Sequence, residues 1–157
     1  MLGYWNKKKE TENVIKDGWL YTGDIGEIDS QDGYLKITDR KKDIIVSTGG
    51  DNISPAKIEN QLLNSQAIDQ CMIYGDRKNY LTALIVASKE FIGQKEKISE
   101  IINEINNNLT LVEKIKKFQL IEENFSIENG LLTPTMKVKR NKVINKYKDI
   151  LENFYKK

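Results

Sequence analysis

Short runs of alternating hydrophobic and polar residues in the first third of the chain predict strands that are separated by turns. These runs cover residues 20–21, 25–28, 34–38 and 44–46. The polar segment DSQDG at 29–33 lies between two of the runs and predicts a β-hairpin. Residues 1–17 are polar and charged without a hydrophobic period, so no element of their own is predicted there.

The rest of the chain alternates between helical and strand-like patterns. Ser54 followed by Pro55 is typical of a helix start, and the apolar spacing after them predicts a helix over 54–65. Continuous apolar runs at 68–76 and 80–88 predict two buried strands. The remaining predicted elements are a helix from Ile98 that continues after a break to Ile115, a short strand over 118–126 and a last helix from Asn141.

Together these elements predict an α+β fold, in which a hairpin precedes a small sheet covered by about three helices. A domain boundary is expected near residues 38–40. The chain before it is rich in turns and has too few apolar residues for a core, whereas the chain after it has the pattern of a compact domain. We therefore expect the first stretch to pack on a surface outside this sequence.

Composition excludes several function classes. Hydrophobic residues make up 39% and charged residues 31% of the chain, as in a globular domain, and the net charge of +2 gives no indication of nucleic-acid binding. The sequence has no His, which excludes Ser-His-Asp and Cys-His catalysis by this chain alone and argues against a zinc site. Cys71 is the single cysteine and lies in an apolar run, so we interpret it as a small buried hydrophobe rather than a reactive thiol.

The distribution of apolar residues along the chain also favours a cytoplasmic location. No apolar run approaches the ~20 residues of a membrane span, and the first residues lack the apolar stretch of a signal peptide. The terminal helix carries lysines mixed with acidic residues, which is typical of an amphipathic helix that closes a small domain. Weak peripheral membrane contact would be compatible with it but is not required.

Three loops carry side chains suited to chemistry, although each by itself favours an ordinary turn. YTGD at 21–24 ends in Asp24, and TDRKKD at 38–43 contains Asp39 and Arg40. STGGDN at 47–52 contains adjacent glycines that permit a close backbone approach to a ligand, but it lacks the Gly-Lys-Ser/Thr of a phosphate loop. A fourth segment, LTPTMKVKR at 132–140, places two lysines just after Thr-Pro-Thr.

In their order and spacing these loops resemble the C-terminal part of the adenylate-forming enzymes, which include acyl-CoA synthetases, luciferases and the adenylation domains of peptide synthetases. TDRKKDIIVSTGGDNISP and LTPTMKVKR are most similar to the long-chain fatty acyl-CoA synthetases. The resemblance implies a reaction in two halves. A carboxylate first attacks the α-phosphorus of ATP to give an acyl-adenylate and pyrophosphate, and the thiol of coenzyme A then displaces AMP. Mg²⁺ would accompany the ATP phosphates without a dedicated metal site in this chain.

The family pattern also implies roles for individual residues. Lys137 corresponds to the catalytic lysine that bridges the α-phosphate and the carboxylate. Many relatives carry Gly directly before that lysine, whereas this chain has Met136, which leaves Lys139 as an alternative. Asp24 corresponds to the carboxylate that accepts hydrogen bonds from the ribose hydroxyls, and Arg40 to the arginine that contacts ribose and phosphate oxygens.

Three further positions belong to the predicted domain movement. Asp39 corresponds to the hinge about which the small domain rotates between the two half-reactions. Gly50 corresponds to the glycine past which the pantetheine arm runs, and Gly49 is its neighbour.

In the following helix Lys57 stands where relatives have an acidic residue, and we expect Glu59 to pair with a nearby cation.

The resemblance implies that residues 1–38 are the tail end of a large N-terminal domain and that residues 39–157 are the C-terminal lid domain. The large domain would supply the acyl pocket, so we expect this chain to be inactive alone, with that domain, fatty acid, ATP and CoA as its partners. Two alternatives stay open. One is a separately encoded lid that acts as a binding or regulatory module, and the other is a CoA ligase for another acid class.

Overall fold

The computed structural model describes residues 1–156 and divides the chain into two units, Met1–Asp43 and Ile44–Lys157. The predicted α+β fold class is confirmed, because helices and small, mostly antiparallel sheets both form. The predicted domain boundary after residue 38 stays a prediction, since these units are defined by packing within this chain.

The first unit contains one short helix and two hairpins. Helix α1 covers Lys8–Val14, and strands β1 (Ile15–Lys16) and β2 (Trp19–Leu20) pair antiparallel directly after it. The prediction that residues 1–17 form no element is therefore wrong. None of the helix residues is buried, so no apolar face marks the helix, and local contacts such as the hydrogen bond from Tyr4 N–H to Thr11 Oγ1 (2.9 Å) support it instead.

The hairpin predicted around DSQDG forms from β3 (Asp24–Ile28) and β4 (Leu35–Arg40). Its register sets Asp24 opposite Arg40 at the open end and Ile28 opposite Leu35 at the turn. In the turn, Gly33 N–H donates to Asp29 O at 2.9 Å. The sequence therefore predicts this hairpin correctly from its turn chemistry.

The second unit contains the remaining elements. The strands are β5 (Ile45–Val46), β6 (Asn52–Ile53), β7 (Ile68–Tyr74), β8 (Leu81–Ala87) and β9 (Ile115–Leu120). The helices are α2 (Pro55–Leu63), a 3-10 turn (Lys89–Phe91), α3 (Lys95–Asn107), α4 (Arg140–Lys146) and α5 (Lys148–Asn153). Strands β5 and β6 form a small hairpin, and β7, β8 and β9 form a sheet in that order, with β7 antiparallel and β9 parallel to β8.

The three-stranded sheet is covered on both faces, so its central strand β8 reads as a continuous apolar run. Alternate residues of β8 enter two clusters. Leu81, Ala83 and Ile85 pack in the cluster that includes Ile58 of α2 and Ile98 of α3. The cluster on the other face contains Leu84 and Val86 together with Met72, Phe125, Leu131, Leu132, Val143 and Leu151.

Helix α3 stops at Asn107, so the predicted continuation to Ile115 is wrong. Ile115 instead begins β9. The side chain of Asn106 accepts a hydrogen bond from Ile115 N–H (2.8 Å) and donates one to Ile115 O (2.9 Å). This amide bridge ends the helix and starts the strand, although both segments share one apolar period.

Other elements also differ in extent from the sequence prediction. The loop predicted over 47–55 contains the short strand β6, and the strand predicted over 118–126 ends at Leu120. The last helix begins one residue early, at Arg140, and Tyr147 (φ −105°, ψ 22°) divides it into α4 and α5. The helix predicted over 54–65 is confirmed, with Ser54 Oγ accepting a capping hydrogen bond from Lys57 N–H at 3.3 Å.

Candidate functional site

Asp24 and Arg40 meet across the open end of the β3–β4 hairpin. Arg40 Nε donates to Asp24 Oδ1 at 2.7 Å, and Asp24 N–H donates to Thr22 Oγ1 at 3.1 Å. The side chains are 25% exposed for Asp24 and 52% exposed for Arg40. The arginine thus orients the carboxylate through one oxygen, while the carboxylate keeps the acceptor capacity that a ribose diol requires.

Asp39 is the buried residue of this hairpin, at 8% exposure. Its Oδ1 accepts a hydrogen bond from Arg40 N–H at 2.6 Å. On the residue before it, Thr38 Oγ1 donates to Ile25 O at 3.2 Å across the hairpin. Side-chain hydrogen bonds therefore hold the backbone at the predicted hinge position.

The Gly-Gly loop between β5 and β6 is organised by Ser47. Its Oγ accepts hydrogen bonds from Gly49 N–H and Asp51 N–H, both at 3.1 Å, and donates to Asp51 Oδ2 at 2.8 Å. Gly50 N–H donates to Ser47 O at 3.0 Å. Gly50 has φ +88°, and a Cβ at this position would meet nothing within 4 Å, so the backbone conformation is what favours glycine within this chain.

A groove of about 340 Å³ lies beside this loop. Thr48 anchors the loop to the β7–β8 turn, with Thr48 N–H bonded to Lys78 O (3.2 Å) and Thr48 Oγ1 bonded to Asn79 Oδ1 (3.0 Å). The groove lining includes Gly49, Lys78, Tyr80, Leu111, Val112 and Lys116. Sequence reasoning missed the two lysines and the tyrosine, because only the sheet brings them next to the glycines.

Lys137 lies in a narrow turn that is closed by an antiparallel bridge between Leu132 and Val138. Thr133 N–H donates to Lys137 O at 2.8 Å, and Lys137 N–H donates to Thr133 Oγ1 at 3.0 Å. The Lys137 side chain is exposed and forms no salt bridge within residues 1–156. The turn thus presents an ammonium group from a firmly bonded backbone.

The residues on either side of Lys137 differ from it in environment. Met136 has φ +62°, a left-handed conformation that non-glycine residues seldom adopt. Lys139 is partly buried at the start of α4, where its carbonyl oxygen accepts hydrogen bonds from Lys142 N–H and Val143 N–H. Lys137 is therefore the exposed lysine of the turn, and Lys139 belongs to the helix entry.

The predicted site residues are divided between the two units. Asp24 and Arg40 are bonded to each other within the first unit. In the second unit, Gly49 lines the groove whereas Lys137 does not. The roles assigned to these residues by resemblance stay predictions.

Arg140 is the partner expected for Glu59. Its Nη2 contacts Glu59 Oε2 at 2.5 Å, and its Nη1 donates to Ile73 O at 3.0 Å. Glu59 Oε1 also accepts from Ile73 N–H at 2.7 Å. Both charged side chains are largely buried, so this ion pair joins the start of α4 to α2 and β7.

Lys57, the other charged residue of α2 noted above, pairs with Glu113 at 2.8 Å. Thr110 donates to the same carboxylate through its N–H (3.1 Å) and its Oγ1 (2.7 Å). Burial raises the pKa of Glu113, but the hydrogen bonds from Lys57 and Thr110 outweigh burial and hold the pKa below its ordinary value.

Cys71 is buried in the core of the second unit, as expected. Burial, and after it the negative charge of Glu59, raise the pKa of the Cys71 thiol far above its usual range, so the thiol stays protonated. Within residues 1–156 there is no group of His, Cys, Asp and Glu side chains that could hold a metal ion, and no helix that is long and apolar enough to cross a membrane.

Comparison with known proteins identifies the family. Residues 42–157 match the family model for the AMP-binding enzyme C-terminal domain. The chain belongs to this family. The resemblance inferred from the loop motifs is therefore confirmed at the level of the family.

The whole chain is similar to parts of larger enzymes. It is 38% identical to the long-chain-fatty-acid–CoA ligase FadD15 of Mycobacterium tuberculosis, over 99% of this chain and 29% of that protein. It is 34% identical to the long-chain-fatty-acid–CoA ligase ACSBG1 of Rattus norvegicus, over 98% of this chain and 27% of that protein. The chain thus spans less than a third of the length of these relatives.

Solved structures show the same fold. The A domain of the carboxylic acid reductase from Segniliparus rugosus, in complex with AMP and a co-purified carboxylic acid, aligns with a TM-score of 0.87 and 25% identity over 98% of this chain and 26% of that one. The o-succinylbenzoate CoA synthetase MenE of Bacillus subtilis, in complex with AMP, aligns with a TM-score of 0.66 and 28% identity over 88% of this chain and 27% of that one. The AMP-binding C-terminal domain therefore occurs in enzymes that act on different carboxylic acids.

Proposed function

We propose that this chain is the C-terminal part of an AMP-forming long-chain fatty acid–CoA ligase, which converts ATP, fatty acid and CoA to acyl-CoA, AMP and pyrophosphate through an acyl-adenylate. The observation that carries this proposal is the exposed Lys137 ammonium on its hydrogen-bonded turn. The relatives named as long-chain-fatty-acid–CoA ligases, matched over nearly the whole chain, support the choice of acid.

Lys137 acts in the adenylating half-reaction. The incoming carboxylate and the α-phosphate are both anionic, so they repel each other until a cation lies between them. One ammonium group can contact both and reduce this repulsion as the new bond forms. By analogy with a single oxyanion-hole donor, such a contact contributes about 2.7–4 kcal/mol to the transition state.

Asp24 and Arg40 bind the nucleotide in this proposal. The carboxylate accepts hydrogen bonds from the ribose hydroxyls, and the guanidinium contacts ribose and phosphate oxygens while it holds the carboxylate. Mg²⁺ enters with the ATP phosphates. Asp39, four residues before the end of the first unit, serves as the hinge.

The groove beside the Gly-Gly loop binds CoA in the second half-reaction. Gly49, which lines the groove, and its neighbour Gly50 let the pantetheine arm pass close to the backbone. The ammonium groups of Lys78 and Lys116 suit the CoA phosphates. Lys78 Nζ lies 5.0 Å from the centre of the Tyr155 ring, which restricts where this cation points. The Tyr80 ring packs against the Tyr155 ring, with centroids 4.9 Å apart, and so forms part of the wall behind Lys78.

The test uses lysine variants in the protein supplied with the large domain, on the same polypeptide or in trans. We expect Lys137→Ala to lower acyl-adenylate formation about 10²–10³-fold, because the bridging cation is lost. Thioester formation from supplied acyl-adenylate should change by less than about threefold. Lys142→Ala is the matched control, because it removes an exposed lysine of α4 outside the turn.

Two outcomes would overturn parts of the proposal. If Lys139→Ala rather than Lys137→Ala stops adenylation, the catalytic lysine is the one at the helix entry. If a panel of carboxylic acids shows turnover only of short or aromatic acids, the chain belongs to a ligase of another acid class, which the similarity to an o-succinylbenzoate CoA synthetase allows.

A further inference from the structure

Lys137 is exposed, yet the turn that carries it is fastened at both ends. On one arm, Leu131 and Leu132 are each 3% exposed and belong to the core against β8. On the other arm, the chain passes from Lys137 to Arg140, whose side chain is largely buried. The position of the ammonium therefore depends on Arg140 as well as on the hydrogen bonds within the turn.

Arg140 and Glu59 form a closed arrangement around one residue of β7. Glu59 accepts the N–H of Ile73 and Arg140 donates to the C=O of Ile73, while the two side chains are bonded to each other. These bonds fix both the direction and the depth of the guanidinium. A lysine at position 140 could replace its charge but not its two-point geometry.

The Gly-Gly loop is held separately from this arrangement. Its bonds run within 47–51 and to the β7–β8 turn, through Thr48 with Lys78 and Asn79. None of these hydrogen bonds uses Glu59 or Arg140. Loss of the ion pair should therefore release the Lys137 turn without releasing the Gly-Gly loop.

We propose that Arg140, held by Glu59 and Ile73, is a positioning residue for Lys137 and sets the rate of the adenylating half-reaction without contacting the substrates. This inference rests on the proposed function of Lys137. A displacement of about 1 Å at a reacting group can cost about 10²-fold in rate, so a loosened turn is costly even though the lysine itself remains.

The experiment compares Arg140→Gln and Arg140→Lys with Lys146→Gln in the protein supplied with the large domain. Lys146→Gln is the matched control, because it removes the other ion pair of α4, with Glu123, at the opposite end of the helix from Arg140. We expect Arg140→Gln to lower acyl-adenylate formation about 10- to 100-fold and thioester formation from supplied acyl-adenylate less than about threefold. Arg140→Lys should recover part of the loss. Equal losses in both half-reactions, or no loss, would overturn the proposal.

A second measurement needs no activity. Hydrogen exchange on this chain reports the N–H groups of Thr133 and Lys139, which bond to Lys137 O and Leu131 O at 2.8 Å each. We expect both to exchange at least about tenfold faster in Arg140→Gln than in Lys146→Gln, with Gly50 N–H unchanged. Faster exchange without any ligase activity in the wild type would overturn the proposed function but keep the fastening role of Arg140. Equal exchange in both variants would overturn the fastening itself.

Discussion

Met136 shows at the scale of one residue which backbone conformation the turn before Lys137 requires. The turn requires a left-handed backbone there, and Met136 adopts it with φ +62° and a side chain 65% exposed. A non-glycine residue in this region is strained by about 1–2 kcal/mol. The side chain at this position therefore affects the stability of the turn.

We therefore expect Met136→Gly to raise the free energy of unfolding by up to about 1 kcal/mol, after the larger entropy of glycine in the unfolded chain is subtracted. Urea denaturation measures the change. Met136→Val is the contrasting variant and should lower the free energy of unfolding, because a β-branched side chain tolerates positive φ poorly. A destabilised Met136→Gly protein would contradict the strain argument.

Variants of the Asp24–Arg40 pair can distinguish an effect on ATP binding from an effect on the stability of the fold. Because Arg40 is about half exposed, their ion pair should contribute only about 0–1 kcal/mol to stability. We expect Asp24→Asn to leave urea denaturation nearly unchanged and to weaken ATP binding at least about tenfold in the protein supplied with the large domain. Glu27→Gln, which breaks the neighbouring exposed pair with Lys36, is the control and should leave ATP binding unchanged.

At the scale of elements, sequence reasoning succeeded where local chemistry and burial agree. The Ser54–Pro55 start of α2, the turn at 29–33 and the apolar runs of β7 and β8 all follow from patterns within a few residues. It failed where a side chain acts at a distance. The Asn106 bridge to Ile115 joins a helix end to a strand start, and no periodicity reveals it.

The candidate site follows the same division. Motifs predicted Asp24, Arg40 and Lys137 as site residues, and these roles stay predictions. The cross-strand register explains the ion pair between the first two. The groove lysines, Lys78 and Lys116, were missed because they are 38 positions apart in sequence and lie together only through the parallel pairing of β8 with β9. Motifs therefore reveal site residues that are close together in the sequence, but not residues that only the fold brings together.

The ion pair of Lys57 with Glu113, which links α2 to the segment before β9, depends on pH. The pKa of Glu113 is lower in the folded chain than its ordinary value of 4.5, so the unfolded chain takes up the proton first as the pH falls. The stability that this carboxylate contributes is present above about pH 4.5 and is lost below it as the pH passes through the folded pKa. We expect Glu113→Gln to unfold more easily than the wild type at pH 7, by about 1 kcal/mol, and the difference to shrink below pH 4.5. A constant difference across this range would contradict the assignment.

At the scale of the whole chain, the two units differ in how they are stabilised. Within residues 1–43 Asp39 is the one buried residue, and large apolar side chains such as Trp5, Trp19 and Tyr34 are at least 75% exposed. The second unit has two buried clusters, one on each face of its three-stranded sheet. The first unit therefore lacks a core of its own among these residues, which fits a segment that packs on a larger partner.

Hydrogen exchange tests this difference. We expect amides of β3 and β4 to exchange with an opening free energy near zero, while those of β8 approach the global value, because exchange protection follows burial and packing. Addition of the large domain should protect β3 and β4 and leave β8 unchanged. Strong protection of β4 in the chain by itself would show that the hairpin is stable without a partner.

The ion pair of Glu59 with Arg140 also lies on the outer side of β7, which is an end strand of the three-stranded sheet. An end strand offers unpaired N–H and C=O groups to the strands of other molecules, and such contacts begin aggregation. At Ile73 both groups are already occupied by these two side chains. The guanidinium of Arg140 therefore also hinders the addition of a foreign strand to β7 at Ile73.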